Sequence, residues 1–181
     1  MRTYLENLIY RLSETREVRD RRFEFIILED KTINAFAAPG GIIGINLGMF
    51  LNTEREGELA SVMCHELAHL SQRHFARSQN RNSPLANALM ILGSIAVAAA
   101  SRNPEAILIA PAAMQQMSIN YTRSNEKEAD RIGFNNLVKA GFDPNDMTMM
   151  FQRMQDKYQN EDSEQFSYLM THPLPSERLT D

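Results

Sequence analysis

Apolar positions recur at helical spacing at the start of the chain and then at the spacing of short strands. On one side of residues 3–16 they predict an amphipathic helix, with Leu5, Leu8, Ile9 and Leu12 on its apolar face. Three apolar runs separated by turn residues follow and predict strands, at residues 23–28, 33–36 and 42–45. We expect these strands to form a small antiparallel sheet.

A longer helix is predicted over residues 54–74, and the rest of the chain is organised around it. Its apolar stripe has helical spacing and consists of Leu59, Val62, Met63, Leu67 and Leu70. Thr53 and Glu56 have the spacing of a capping box, in which two side chains bond free backbone N–H groups at the start of a helix. The pattern therefore predicts a helix that starts beside Thr53.

Within this helix, residues 65–69 read HELAH, which is the HExxH pattern. Residues four apart lie on one face of a helix, so the imidazoles of His65 and His69 can reach one metal ion. Glu66 projects beside that face, near enough to activate a water molecule without taking a ligand position. A helix with two surface histidines is the alternative, but unpaired histidines would be costly to bury among the flanking apolar residues. The pattern therefore predicts a zinc site.

A catalytic zinc ion usually has three protein ligands and one open position, so a third ligand must come from elsewhere in the chain. His74 lies five residues past His69 and would be rotated about 140° away on the same helix, which favours a surface or supporting role for it. A carboxylate from another helix fits better, because two crossing elements then close the site. From spacing alone the candidates are His74, Glu126, Glu128, Asp130 and His172.

The second half of the chain supplies those carboxylates. Two helices are predicted there: residues 115–140, ended by Gly141, and residues 144–159, started by Asp143 as N-cap and Pro144 in the first turn. Glu126 and Asp130 lie four residues apart and therefore on one face of the first of these helices. Glu128, between them, points elsewhere and is expected to be a solvated charge.

An apolar region lies between the two halves of the site. Residues 85–100 and 107–114 are largely apolar and are joined by a polar turn that contains Pro104. The longer run has about 16 residues, fewer than the roughly 20 that a membrane span needs. We expect a buried helical hairpin or a lid over the site; a segment that contacts a membrane surface is the alternative.

Composition narrows the function further. The net charge of −4, the pI near 5.6 and the lack of a basic run argue against a nucleic-acid partner. A length of 181 residues predicts a single domain over residues 1–181. Cys64 is the only cysteine, so no intrachain disulfide can form, and we expect it to be a small buried residue. The first residues do not resemble a signal peptide, so we expect either a cytoplasmic protein or one that begins after a removed leader.

Four segments, in this order, resemble the Ste24/HtpX-type zinc metalloproteases of the gluzincin group: AFAAPGGIIGINLGMF, HELAH, NEKEADRIG and HPLPSER. The first of them resembles the strand segment that precedes the active-site helix in that family. Within the group, the chain most resembles the bacterial BepA-type periplasmic proteases, which lack the membrane spans of the other members. The likeness covers residues 30–180 and carries four motifs in the right order, which makes it specific.

The resemblance implies a role for each matching residue. Glu126 would be the third zinc ligand, and Asp130 would accept a hydrogen bond from a ligand histidine and thereby fix its tautomer. His172 would stabilise the oxyanion of the tetrahedral intermediate, and Arg178 would support the site. One zinc ion per chain, protein or peptide substrates and a place in the bacterial periplasm or cell envelope are implied as well.

One feature departs from the BepA-type pattern. Those proteins carry a C-terminal tetratricopeptide-repeat domain, whereas this chain stops three residues after Arg178. We therefore expect either the protease domain of a longer protein or a shorter relative. Partners that depend on the repeat domain do not carry over to this chain.

Together these features predict an α+β fold, a mainly helical zincin-like metalloprotease domain with the small antiparallel sheet beside the HExxH helix. The predicted function is that of a zinc endopeptidase in envelope protein quality control, with Glu66 as the base. An extended substrate would pair with an edge strand at Ile43, Gly44 and Ile45. The alternative is a chaperone-like or latent binding module, in which His172 occupies the fourth position on zinc and inhibits the site.

Overall fold

The computed structural model describes residues 1–15, 21–79, 123–160, 168–169 and 172. Three strands and six helices lie in these ranges: α1 (Arg2–Glu14), β1 (Glu24–Leu28), β2 (Ala35–Ala38), β3 (Ile42–Asn46), α2 (Leu47–Leu51), α3 (Glu56–Ser71), α4 (His74–Gln79), α5 (Arg123–Lys139) and α6 (Asn145–Asn160). The predicted α+β fold is confirmed. None of the helices within these ranges is long and apolar enough to span a bilayer. The predictions for residues 85–114 and for Arg178 fall outside the described residues.

The sheet is mixed, so the prediction of an antiparallel sheet is wrong in one pairing. Its strand order is β1-β3-β2, with β2 antiparallel and β1 parallel to β3. A tight turn joins β2 to β3, and Gly40 and Gly41 in that turn have φ angles of 90° and 83°, which favour glycine. Although β2 follows β1 in the chain, the two strands do not pair. Strand β3 lies between them, parallel to β1 and antiparallel to β2.

The position of β3 also corrects the predicted substrate strand. Ile43, Gly44 and Ile45 lie in the central strand, where β1 and β2 occupy both hydrogen-bonding edges. Gly44 is further covered by the ring of Phe36, which occupies the space that a Cβ would take. Among the described residues, the outer edges of this sheet belong to β1 and β2, and β2 packs against α3.

Helix α3 is the centre of the fold. Every residue from Gly57 to His69 is buried, although the apolar stripe covers only one side of the helix. The other sides are covered because α5, α6, β2 and α1 all pack against α3. The hydrophobic effect thus holds α3 in place on all sides, and its polar residues are buried with it.

The start of α3 differs from the predicted capping box. The N-cap is Arg55, and the Thr53 hydroxyl instead donates a hydrogen bond to the Phe50 carbonyl at 3.2 Å. The side chain that reaches back is Glu58, whose Oε2 accepts a hydrogen bond from the Glu54 backbone N–H at 2.7 Å. A glutamate three residues past the N-cap therefore bonds the backbone N–H of the residue before the N-cap, and it lies two residues later in the chain than the glutamate of the predicted box.

Helices α5 and α6 follow one another in the chain and each packs against α3. Gly141, with a φ angle of 82°, follows the end of α5, as predicted. Asp143 Oδ1 accepts a hydrogen bond from the Asn145 backbone N–H at 2.9 Å, which agrees with its predicted capping role for α6. Gly133 faces α3 so closely that a Cβ there would lie 3.1 Å from the His65 backbone nitrogen. The absence of a side chain at this position lets α5 approach the HExxH segment.

Candidate metal centre

Two helices bring three predicted ligands together. His65 and His69, one turn apart on α3, have their Nε2 atoms 2.9 Å from each other. Glu126, near the start of α5, places Oε2 3.4 Å from His65 Nε2 and Oε1 3.3 Å from His69 Nε2. The three side chains are all buried. The crossing of α3 and α5 thus brings together His65, His69 and Glu126, the three ligands that the resemblance implied.

His172 contributes a fourth side chain to this group. Its Nδ1 lies 3.3 Å from His65 Nε2 and 3.1 Å from Glu126 Oε1. The ring stacks on Tyr168, with centroids 4.6 Å apart and an interplanar angle of 28°. The imidazole therefore reaches the site through Nδ1, and Tyr168 supports its face.

The spacing of these atoms fits a small divalent cation. Ligand atoms about 2.0–2.2 Å from a tetrahedral metal lie about 3.4 Å from one another. The four ligand atoms all lie within 4.8 Å of one another, and the measured pairs above lie 2.9 to 3.4 Å apart. Imidazole nitrogens and one carboxylate oxygen are donors that suit such an ion. The donor set and the geometry therefore match a four-coordinate metal site.

The electrostatics of the group also favour a cation. Burial raises the pKa of the Glu126 carboxyl, but the imidazoles of His172, His65 and His69 outweigh it and hold that pKa well below its usual range. Burial lowers the pKa of His65, yet the neighbouring carboxylates of Asp130 and Glu126 raise it to about 9, so a metal ion that binds Nε2 must displace a proton there. Glu126 is therefore ionised and supplies a buried negative charge at the centre of the group.

Glu66 lies beside the group without belonging to it. Its Oε2 accepts a hydrogen bond from the Ala37 backbone N–H on β2 at 3.1 Å, and its Oε1 lies 3.4 Å from His172 Nε2. Burial raises the pKa of this carboxyl, an effect that the nearby imidazoles of His172 and His65 reduce. A buried carboxylate with a raised pKa next to a metal site is suited to accept and return a proton.

The second nitrogen of each predicted ligand histidine meets a partner. His65 Nδ1 lies 2.9 Å from Asp130 Oδ1, which matches the position expected for Asp130. His69 Nδ1 lies 2.9 Å from Nδ1 of His74, a residue that is fully buried rather than on the surface. The chain can turn back in this way because α3 ends at Ser71 and does not continue to residue 74.

Glu128 is not the solvated charge that its spacing suggested, and that prediction is wrong. Its Oε2 lies 3.0 Å from His74 Nε2 and 3.0 Å from Arg77 Nη1. These two partners, with the hydrogen bond from His74 as the largest contribution, lower the pKa of the Glu128 carboxyl. Spacing on α5 alone could not reveal this contact, because it depends on the turn that separates α3 from α4.

Sequence reasoning also missed three contributors to the site. The Ala37 backbone carries no side-chain signal, and Tyr168 lies in a segment without clear periodicity. Gly133 did leave a signal, since it follows Glu126 by seven residues and so lies on the same face of α5. A glycine on the ligand-bearing face of a helix indicates that another backbone approaches closely there.

The chain is similar in sequence to known bacterial and mitochondrial proteins that are named as proteases. A Vibrio cholerae protein that provisionally bears the name beta-barrel assembly-enhancing protease is 46% identical over 183 residues, covering 98% of this chain and 37% of the relative. The Escherichia coli protein named beta-barrel assembly-enhancing protease is 38% identical over 187 residues, covering 98% and 37%. A Schizosaccharomyces pombe protein named mitochondrial metalloendopeptidase OMA1 is 28% identical over 176 residues, covering 97% and 50%.

The chain thus spans a little over a third of the length of the bacterial relatives that it matches. The model of the family described as peptidase family M48 matches residues 1–181. A family of this kind implies a catalytic metal, and the group of His65, His69, Glu126 and His172 offers suitable ligands. The chain therefore belongs to peptidase family M48.

Proposed function

We propose that this chain is a zinc-dependent endopeptidase, in which His65, His69 and Glu126 bind zinc and Glu66 is the general base. The observation that carries the proposal is the buried convergence of three ligand atoms, 2.9 to 3.4 Å apart, with a further carboxylate beside them. A purely structural zinc site closes its coordination sphere with four ligands and has no use for such a carboxylate.

The mechanism assigns each proton to a residue of this chain. Zinc at this position would supply the Lewis acidity that activates water and polarises the scissile carbonyl. Glu66 accepts the proton of the attacking water on Oε1 and returns it to the leaving amine. The Ala37 N–H holds Oε2 at 3.1 Å and so keeps the carboxylate in place for both transfers. Burial raises the pKa of Glu66, which makes it a stronger base than an exposed glutamate.

We place the substrate along β2 rather than β3. β2 is an edge strand of the sheet and packs against α3, and its Ala37 is bonded to the proposed base. An extended peptide that adds to this edge would be held by main-chain hydrogen bonds and would run past Glu66. This arrangement favours unfolded or extended segments as substrates, because main-chain hydrogen bonds would supply the affinity.

A latent state of the same site is the second candidate, and His172 is the observation that favours it. Its Nδ1 lies within 3.3 Å of both His65 Nε2 and Glu126 Oε1, which is the spacing of a fourth protein ligand. A fourth ligand would exclude the water that hydrolysis needs. In this state His172 must leave before cleavage, and it can then donate a hydrogen bond to the oxyanion. The chaperone-like alternative depends on residues 85–114, which lie outside the described residues.

We also infer the biological setting from the relatives. The bacterial proteins that this chain resembles are named for enhancing beta-barrel assembly, and the chain is 38% to 46% identical to two of them. We propose that the chain acts on protein substrates in the bacterial periplasm or cell envelope, as part of quality control during assembly of such barrels.

The test compares casein cleavage and bound zinc in four proteins. They are the wild type, Glu66→Gln, His172→Ala and the control Glu29→Gln, which removes the same charge from an exposed position. We expect one zinc per chain in all four, cleavage by the wild type and the control, and none by Glu66→Gln. Faster cleavage by His172→Ala would support the latent state.

Two results would contradict the endopeptidase proposal. Full activity of Glu66→Gln would remove the proposed base, and wild-type protein that binds no zinc would remove the metal site. Cleavage by His172→Ala at or below the wild-type rate would show that its contribution to the oxyanion outweighs any inhibition, and would leave the endopeptidase proposal standing.

A further inference from the structure

The two ring nitrogens of His69 have different neighbours. Nε2 faces the candidate metal centre, 2.9 Å from His65 Nε2 and 3.3 Å from Glu126 Oε1. Nδ1, on the other side of the ring, lies 2.9 Å from His74 Nδ1. The orientation of the His69 ring therefore depends on a second imidazole behind it.

Only one order of protons satisfies this chain of contacts. A ring nitrogen that faces a cation must present its lone pair, so the proton of neutral His69 is on Nδ1. His69 Nδ1 then donates to His74 Nδ1, which must be an acceptor, and the proton of His74 is on Nε2. That nitrogen lies 3.0 Å from Glu128 Oε2, and an ionised carboxylate can only accept.

The local fold positions His74 for this contact. After α3 ends at Ser71, Arg73 adopts a φ angle of 53°, in the left-handed region that a residue with a side chain rarely occupies. The turn directs His74, the first residue of α4, back beneath His69. Arg77, one turn further along α4, places Nη1 3.0 Å from the same Glu128 oxygen and thereby holds the far end of the chain of contacts.

We propose that His74 and Glu128 are positioning residues for His69, which fix its tautomer and the direction of its Nε2 lone pair through a histidine-to-carboxylate relay. The inference rests on the proposed zinc site. His65 has the simpler form of the same support, since its Nδ1 lies 2.9 Å from Asp130 Oδ1 with no intervening residue. Partners of this kind typically contribute about 10- to 100-fold to metal affinity.

The experiment measures zinc affinity by chelator competition and the visible spectrum of the cobalt(II)-loaded protein, whose bands report ligand geometry. His74→Phe keeps a ring but no polar atom. His74→Asn keeps an acceptor near the position of Nδ1, whereas His74→Gln keeps a polar atom near that of Nε2. Glu128→Gln removes the end of the relay, and Glu29→Gln is the control for the change in charge. Melting of the zinc-free proteins separates a loss of positioning from a loss of folding.

We expect His74→Phe to raise the zinc dissociation constant about 10- to 100-fold and to shift the cobalt bands. His74→Asn should recover much of the affinity and His74→Gln should not; Glu128→Gln should show a smaller loss and Glu29→Gln none. If His74→Phe does not fold, the zinc affinities of His74→Asn and His74→Gln still test the relay. Equal affinities of these two variants would overturn it. Wild-type affinity and spectrum in His74→Phe and Glu128→Gln overturn this inference alone, whereas a wild type that binds no zinc overturns the proposed function as well.

Discussion

Two glutamates on α3, Glu58 and Glu66, are both buried but have opposite surroundings. Glu58 is 0% exposed, and its Oε1 lies 3.0 Å from Arg153 Nη2 on α6. Its Oε2 accepts the Glu54 backbone N–H at 2.7 Å. Both oxygens are thus bonded, one of them to a full positive charge, and Glu58 lies in the first turn of the helix, where the helix dipole also favours a negative charge.

Glu66, two turns later, is 1% exposed and has no guanidinium or ammonium partner among the described residues. One oxygen accepts the Ala37 N–H at 3.1 Å, and the other lies 3.4 Å from a nitrogen of His172. Burial raises the pKa of this carboxyl, and the nearby imidazoles offset only part of that rise.

The difference indicates which buried charge serves the fold and which serves the chemistry. Both oxygens of Glu58 are bonded and Arg153 balances its charge, whereas Glu66 is buried, incompletely paired and has a raised pKa beside the candidate metal centre, which suits proton transfer. The apolar periodicity does not separate the two, since both are glutamates on the same helix with apolar neighbours; only the position of Glu66 inside the HExxH pattern marks it.

The largest effect is expected from exchanging each glutamate for glutamine and comparing activity with stability. Glu66→Gln should lower kcat/KM by about 1,000-fold or more, because the general base is lost. The free energy of unfolding of its zinc-free form should be unchanged or higher, because a buried amide costs less than a buried carboxylate without a cation. Glu58→Gln should have the opposite profile, with stability lowered by about 2–3 kcal/mol and cleavage per zinc-loaded molecule unchanged.

Urea unfolding and casein cleavage, measured on the same preparations, check this crossed pattern. Arg153 is 21% exposed on its side chain, so water can solvate part of its charge after Glu58→Gln, and the expected loss is below that of a fully buried pair. The distinction between the two glutamates fails if Glu58→Gln loses activity as strongly as Glu66→Gln without losing stability.

The role of a glutamate could be predicted from the sequence only where it depends on neighbouring residues of the same helix. The HExxH spacing placed His65, Glu66 and His69 correctly relative to one another, because the geometry of a single helix determines it. Glu58 was not recognised, since its partner Arg153 lies 95 residues away on α6. A capping box was predicted instead at Thr53 and Glu56, three residues apart, although the helix begins later.

The same contrast applies to the fold. The α+β class and the approximate bounds of the strands follow from local periodicity and turn residues. The strand order does not, because pairing of β1 with β3 is a long-range choice that the apolar runs leave open. The contact between His74 and Glu128 was missed for a similar reason, since it requires both the turn at Arg73 and the packing of α5 on α3.

A smaller effect, confined to the metal-binding end of α3, is expected from Gly133→Ala on α5. The added Cβ would lie 3.1 Å from the His65 nitrogen and 3.2 Å from the Cys64 carbonyl carbon, so the two helices must move apart by a few tenths of an ångström. Glu126 and Asp130 on the same face would move with α5. We expect the zinc dissociation constant to rise about tenfold.

Isothermal titration with zinc, beside urea unfolding, measures this change. Stability should change little, because the gain of about 1 kcal/mol in helix propensity offsets the strain. Asn135→Ala, at an exposed position on the same helix, is the control and should leave zinc affinity unchanged. Unchanged affinity in Gly133→Ala would mean that α3 and α5 tolerate a wider separation than the site geometry implies.

The smallest effect is expected from Glu54→Gln. This variant tests whether the Glu58–Arg153 pair stabilises the fold because it is buried or because Arg153 is its partner. Glu54 Oε1 lies 2.6 Å from Arg153 Nη1, whereas Glu58 Oε1 lies 3.0 Å from Arg153 Nη2. The side chain of Glu54 is nevertheless 70% exposed. The hydrogen bond from Arg153 lowers the pKa of Glu54, so any stabilisation is present above the unfolded-state pKa and is lost as the pH falls through the lowered value. Solvent screens most of it, and urea unfolding of Glu54→Gln near neutral pH should nearly match the wild type. Any remaining difference should vanish at 1 M NaCl, where the Debye length falls to about 3 Å. A loss as large as that of Glu58→Gln, persisting in high salt, would show that contact with Arg153 rather than burial distinguishes the two ends of α3.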